Sequence, residues 1–170
     1  MSELWELLDA GGNKTGRLHK RGDPLAFEDY FLCVNVWIIN SNGEFLITRR
    51  SASNGHKWHT TGGAVIAGDD SLQSALREAK EEIGVTLKPE NSSFFKRINL
   101  PRISDGGGLL VDAWLFKQDI DIAQLVFQPE EICDAVWASP SQIRQMIEDG
   151  IFVDVATWYP YLDELLEHQQ

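Results

Sequence analysis

The sequence predicts an α/β fold, a mixed β-sheet with helices packed on it. Runs rich in β-branched and aromatic residues, above all Tyr30–Ile39, have the character of buried strands. Apolar residues at helical spacing, Leu72, Ala75, Leu76, Ala79 and Ile83, mark one clear helix. Strand and helix signals follow one another along 170 residues without a repeat, a low-complexity tract or a long linker.

Taken in order, residues 3–9 and 15–20 flank Ala10, Gly11, Gly12, Asn13 and Lys14, a turn composition that predicts an N-terminal β-hairpin. A helix over residues 4–8 is the open alternative. Tyr30–Ile39 and residues 44–48 enclose the turn signal Ser41, Asn42 and Gly43, which predicts a second, buried hairpin. Residues 72–83 form the helix, with Ser71 as N-cap and Gly84 just past its end. Residues 94–100 and 109–117 read as strands separated by Ser104, Asp105, Gly106, Gly107 and Gly108, and residues 135–138 add a short one. Pro140 suits the first position of a helix after Ser139, running through Ile143, Met146 and Ile147 to Gly150. An amphipathic stretch over residues 157–167 predicts a third helix. The expectation is one domain over residues 1–170, with residues 1–22 as a hairpin extension.

Composition limits the partners. Fifteen Lys and Arg against 26 Asp and Glu give a net charge of -11, so no overall basic field exists to hold bulk nucleic acid by counterion release. A small phosphorylated ligand remains compatible, because a local cluster or a bound cation reverses the field at one site. The two cysteines, Cys33 and Cys133, stand in apolar stretches without a CxxC or a nearby histidine, which predicts reduced thiols in or near a core. The N-terminus lacks a basic stretch followed by an apolar run, and no apolar segment approaches the roughly 20 residues of a membrane span. The expected location is cytoplasmic, away from membranes.

Chemistry concentrates in residues 62–85. With steps of about 100° per residue and the apolar stripe near 0°, Glu78 falls near 240°, Glu81 near 180° and Glu82 near 280°. The three carboxylates share a sector, with Glu78 and Glu82 at the edge of the buried face. A solvated acidic helix face would give the same composition, since a like-charged pair at this spacing costs only about 0.2–0.5 kcal/mol. The preceding Gly62, Gly63 and Gly68 distinguish the segment: they permit a tight path and a close approach of backbone to ligand. Loop carbonyls and helix carboxylates together form the hard oxygen set that Mg²⁺ prefers.

At this point the chain resembles the Nudix hydrolase family. The Nudix box reads G(x)5E(x)7REUxEExGU, with U apolar, and this chain has Gly63, five residues, Asp69, seven residues, then Arg77, Glu78, Ala79, Lys80, Glu81, Glu82, Ile83, Gly84 and Val85. A strand pair before the box, and Trp137 with a following helix after it, are also similar to the family. The resemblance implies a Nudix-type α/β/α sandwich around a mixed sheet and metal-dependent cleavage of a diphosphate linkage in a small molecule of the nucleoside diphosphate-X type. It implies Mg²⁺ or Mn²⁺ held by Glu78, Glu81 and Glu82, with a carbonyl of Gly62 or Gly63, and Arg77 orienting the carboxylates. The general base varies among relatives: Glu78 is the first choice, and Glu130 or Glu131 are candidates for an acid in a later loop, Glu131 also as a metal ligand. Relatives commonly form homodimers. Asp69 stands where the box has Glu, which should loosen the support of Arg77, and Ile66 occupies a position where many members carry an extra glutamate.

Two other functions share these features. Isopentenyl diphosphate isomerase is a relative, but its chemistry needs a cysteine at the start of the box region followed by Gly-His-Pro, where this chain has Gly62, Gly63, Ala64 and Val65. A nucleotide-binding module without turnover is the other; the complete set of three glutamates argues against it. Substrate signals are sparse. Residues 46–51 partly resemble the start of the coenzyme A branch signature, and Pro101 lies where the ADP-ribose branch often has a proline, though a strand-ending proline reads the same. Trp58, His59 and Trp114 are candidates to stack on a base, and Arg49 and Arg50 to meet phosphate.

Overall fold

In the computed structural model, which describes residues 3–100 and 107–167, the N-terminal segment is the expected hairpin. Strands β1 (Leu4–Leu8) and β2 (Lys14–Lys20) pair antiparallel, which excludes the helical alternative. Asp9 Oδ1 accepts from the N–H groups of Gly11 and Asn13 in the turn, and Gly12 takes a left-handed φ of 83°.

Strand β3 (Tyr30–Ile39) departs from the expected local hairpin. It touches β4 (Phe45–Arg50) at Ile39↔Phe45, but its long partner is β8 (Gly108–Lys117), parallel from Tyr30↔Gly108 to Ile39↔Lys117. An apolar run without strict alternation suits a strand covered on both faces, which is where parallel pairing occurs. On its other edge β3 pairs antiparallel with β6 (Thr61–Ala64), after the two-residue β5 (Trp58–His59). Strand β4 pairs with β5 and with β9 (Ile132–Ala138), which starts before the predicted residues 135–138, while β7 (Ser92–Leu100) pairs antiparallel with β8.

The mixed sheet is covered on both sides, as an α/β/α sandwich. Val34, Val36 and Ile38 of β3 face Ala75, Ala79 and Ile83 of helix α1 (Ser71–Ile83). Trp37 and Ile39 face the other way, onto Ile143 of α2 (Pro140–Glu148) and Leu162, Leu165 and Leu166. The period of two in the strand thus assigns alternate residues to two cores.

Three local expectations change. The N-cap of α1 is Asp70, one residue earlier than Ser71: Asp70 accepts from Gln73 N at 2.8 Å and Gln73 Oε1 accepts from Asp70 N, a reciprocal capping box. Ser71 Oγ instead accepts from the Trp114 indole. The helix expected over residues 157–167 is two, α3 (Val155–Trp158) and α4 (Leu162–Glu167). Pro160 pushes Tyr159 out of helical backbone, and the Tyr161 hydroxyl accepts from Trp37 Nε1 and Asn35 Nδ2, both at 2.8 Å. Cys133, expected near a core, is exposed, whereas Cys33 is half-buried. Pro101 and the turn residues Ser104, Asp105 and Gly106 lie outside the described residues. No helix among those described is long and apolar enough to cross a membrane.

Candidate active site

Helix α1 places its acids as its amphipathic pattern requires. Glu78 and Glu82 are 9% and 8% exposed at the edge of the packed stripe, while Glu81 projects outward. Arg77 is the hub between them, with Nη1 2.9 Å from both Glu78 Oε1 and Glu81 Oε2 and Nη2 donating to the Ala64 carbonyl at 3.0 Å. The guanidinium therefore ties the helix to the end of β6.

Gly62 and Gly63 lie in strand β6, not in an irregular loop; Gly68, with φ of 98°, makes the turn. Their lack of side chains is used for close approach. A Cβ on Gly63 would stand 2.5 Å from Glu78 Cδ, and one on Gly62 would collide with the Val34 carbonyl. The backbone of β6 thereby passes directly against the Glu78 carboxylate.

Burial dominates the electrostatics. It pushes Glu82 up to about 8, with the charge of Glu78 adding and the Gly62 N–H opposing. Glu78 is also raised, by burial first, against the pull of Arg77. Glu82 Oε2 is buried without a hydrogen-bond partner, an orphaned acceptor of the kind a cation would satisfy. The donor set, carboxylates of Glu78, Glu81 and Glu82 beside the carbonyls of Gly62 and Gly63, fits a hard divalent ion. Among the described residues no three acidic, histidine or cysteine side chains already converge as a metal cage; Glu78 and Glu81 are turned onto Arg77.

A cleft of about 370 Å³ adjoins this point, with Gly62, Gly63, Glu82 and Glu131 in its lining. Its lining separates several pairs that are alike in sequence. Glu131 lines it, with Oε2 accepting from Asn54 Nδ2 at 2.8 Å, and its charge reaches Glu82. Glu130 does not line it; its backbone carbonyl accepts from Ser51 and Asn54. Arg50 lines the cleft, whereas Arg49 stacks over Trp58 at 5.6 Å. Of the three candidate stacking residues His59 lines the cleft, while Trp58 belongs to a core cluster and Trp114 packs edge-on against Phe94.

The NUDIX domain pattern matches residues 29–158. The chain belongs to the Nudix family. It is 29% identical to an uncharacterized Nudix hydrolase of Listeria innocua over 97% of this chain and 94% of that one. It is also 29% identical to the isopentenyl-diphosphate Delta-isomerase of Escherichia coli, over 52% of this chain and 50% of the isomerase. The crystal structure of DR0079 from Deinococcus radiodurans shares the fold with a TM-score of 0.69 and 24% identity, covering 98% of each chain.

In this Nudix hydrolase the departure at Asp69 has a visible consequence. Asp69 Oδ2 stops 3.6 Å from Arg77 Nε, beyond hydrogen-bond length, and that buried Nε has no hydrogen-bond partner. Other residues lie beside these acids with no local signal in the sequence. Glu3, Trp5 and Arg21 of the N-terminal hairpin border the space beside Glu78, Glu81 and Glu82. The Ala67 N–H donates to the Leu4 carbonyl and so joins hairpin to box. Asn35 in the cleft was signalled only as a polar residue inside an apolar strand run.

Proposed function

We propose that the chain hydrolyses a diphosphate linkage in a small molecule of the nucleoside diphosphate type, a nucleotide, nucleotide sugar or ADP-ribose-like compound, with Mg²⁺ or Mn²⁺ as cofactor. The observation that supports this most is the pair of buried carboxylates, Glu78 and Glu82, brought against the bare backbone of Gly63 and Gly62, with Glu82 and both glycines lining the cleft. Burial of two acids costs stability, offset at Glu78 by Arg77, and one oxygen of Glu82 is orphaned; a bound cation would compensate both.

Glu78, Glu81 and Glu82, with a Gly62 or Gly63 carbonyl and Glu131 at the rim, would hold the ion. When bound, it supplies charge neutralisation of the diphosphate and lowers the cost of forming a nucleophile from water. The residues do the rest. Arg77 fixes Glu78 through Oε1, leaving Oε2 to take the proton from the attacking water. Burial around Glu78 and Glu82 keeps bulk water away, which strengthens each interaction with the phosphates.

Isomerase chemistry finds no acid at the start of the box. Gly62 occupies that position, and any side chain there would meet the Val34 carbonyl. The test is a panel of nucleoside triphosphates, nucleotide sugars, ADP-ribose, dinucleotides and prenyl diphosphates, with Mg²⁺ or Mn²⁺ and product identification. Phosphorus–oxygen cleavage of a nucleoside-linked diphosphate supports the reading. Double-bond migration, or tight binding without products from any compound, would overturn it.

A further inference from the structure

The lining of the cleft carries two polar groups that the hydrolytic residues do not use. Arg50 is half-buried, and no carboxylate partner is found for its guanidinium among the described residues. His59 is 6% exposed, and its Nε2 is buried without a hydrogen-bond partner. Both residues line the same cleft and project from paired strands β4 and β5. A protein of net charge -11 has carboxylates to spare, so an arginine left unpaired beside a buried unpaired imidazole is a pocket prepared for something else.

The neighbours sharpen its character. Burial and the charge of Arg50 hold His59 down to about 3, so the imidazole is neutral. Burial pushes the Tyr159 hydroxyl and the Cys33 thiol, which line the same cleft, up to about 12. Arg50 therefore shares the cleft with three neutral groups, His59, Tyr159 and Cys33, while Glu82 and Glu131 supply its acidic lining. Leu109 and Val111 add apolar surface to the cleft lining. A hydrocarbon chain placed here would cover that surface but strand the imidazole and the guanidinium away from water. A hydroxylated group would not, because a hydroxyl both donates and accepts and serves His59 Nε2 in either tautomer.

The geometry points to His59 and Arg50 as the residues that select the substrate's non-reacting end: His59 reads a hydroxyl of a sugar or nucleoside, and Arg50 holds a phosphate oxygen beside it. This rests on the diphosphate reading above and deepens it, since it assigns the side of the cleft that discriminates nucleoside and sugar diphosphates from prenyl diphosphates. Sites built to hydrogen-bond a hydroxyl reject analogues that lack it far more strongly than apolar pockets reject an extra group.

The test is equilibrium binding in EDTA, where turnover is stopped, of UDP, CDP, ADP-ribose and UDP-glucose against isopentenyl and geranyl diphosphate. Full-length wild type, His59→Leu, His59→Gln and Arg50→Met are compared, each checked by thermal unfolding. The expected result is at least tenfold tighter binding of one or more hydroxylated compounds than of either prenyl compound. His59→Leu should reduce that ratio about tenfold and His59→Gln should restore most of it. Arg50→Met should weaken both classes without changing the ratio. A wild-type ratio near one, or an unchanged ratio in His59→Leu, would overturn the assignment. If His59→Leu does not fold, the wild-type ratio and His59→Gln decide. Failure of the hydrolytic reading is separate: selective binding would persist in EDTA while Mg²⁺ produced no cleavage.

Discussion

Gly63 and Glu78 occupy the same small volume: the carboxylate carbon of Glu78 lies 2.5 Å from where a Cβ on residue 63 would stand. Gly62 is equally confined, but its obstacle is the backbone carbonyl of Val34, which cannot rotate away. The two glycines should therefore respond differently to the same methyl group. Gly63→Ala is expected to keep the fold, because the end of a glutamate can move, and to lose about 10²-fold in turnover through displacement of Glu78. Gly62→Ala should lower stability by about 1–3 kcal/mol. Thermal unfolding and Mg²⁺-dependent turnover of both variants check this; equal effects on stability would contradict it.

The gap between Asp69 and Arg77 gives a prediction of opposite sign. One added methylene in Asp69→Glu closes the 3.6 Å separation and supplies the partner that Arg77 Nε lacks. Stability should rise by about 1 kcal/mol, roughly 2–4 °C in Tm, with turnover at least maintained. A lower Tm would show that the shorter acid is accommodated some other way.

Glu130 and Glu131 should separate cleanly. Glu131 lines the cleft and its charge reaches Glu82, whereas Glu130 offers its backbone carbonyl to Ser51 and Asn54. Glu131→Gln is expected to lower turnover at least tenfold and to weaken Mg²⁺ activation, while Glu130→Gln leaves both within twofold. Kinetics over a range of Mg²⁺ concentrations distinguish them.

Glu82 makes the metal-free protein sensitive to alkali. Burial raises it from its ordinary 4.5 to about 8, so between those values the folded chain keeps a proton that the unfolded chain has lost. Stability then falls as pH rises: the contribution is full below about 4.5 and is lost as pH passes about 8. His59, depressed from 6.5 to about 3, has the opposite slope, but its effect fades above pH 6.5 as the unfolded imidazole loses its remaining proton. The window from pH 6.5 to 8 therefore reports mainly on Glu82. In EDTA, stability should decline across it by an amount of order 1 kcal/mol, with Tm falling in step, and Glu82→Gln should flatten the decline. Equal slopes in the two proteins would contradict this.

The parts of the molecule legible in the sequence are those fixed by near neighbours. Helix α1 shows its period through Leu72, Ala75, Leu76, Ala79 and Ile83, and the depth of Glu78 and Glu82 follows from their angle to that stripe. The parallel pairing of β3 with β8 is not visible locally, because Tyr30 meets Gly108 only through the intervening chain. The same limit hid the cleft. Arg49 and Arg50 are alike in sequence, and only the pairing of β4 with β5 sends one over Trp58 and the other into the cleft. Pro160 lies inside the amphipathic stretch that predicts one helix, and it splits that stretch in two because the residue before a proline is pushed out of helical backbone.

The central claim is that Glu78 acts on a diphosphate with a divalent ion, and Glu78→Gln tests it most directly. The exchange removes one charge and keeps the volume beside Gly63. With the best substrate of the panel and saturating Mg²⁺, the variant should lose at least 10²-fold in turnover while its Tm stays within a few degrees of wild type. Turnover equal to wild type in a folded Glu78→Gln protein would contradict the account.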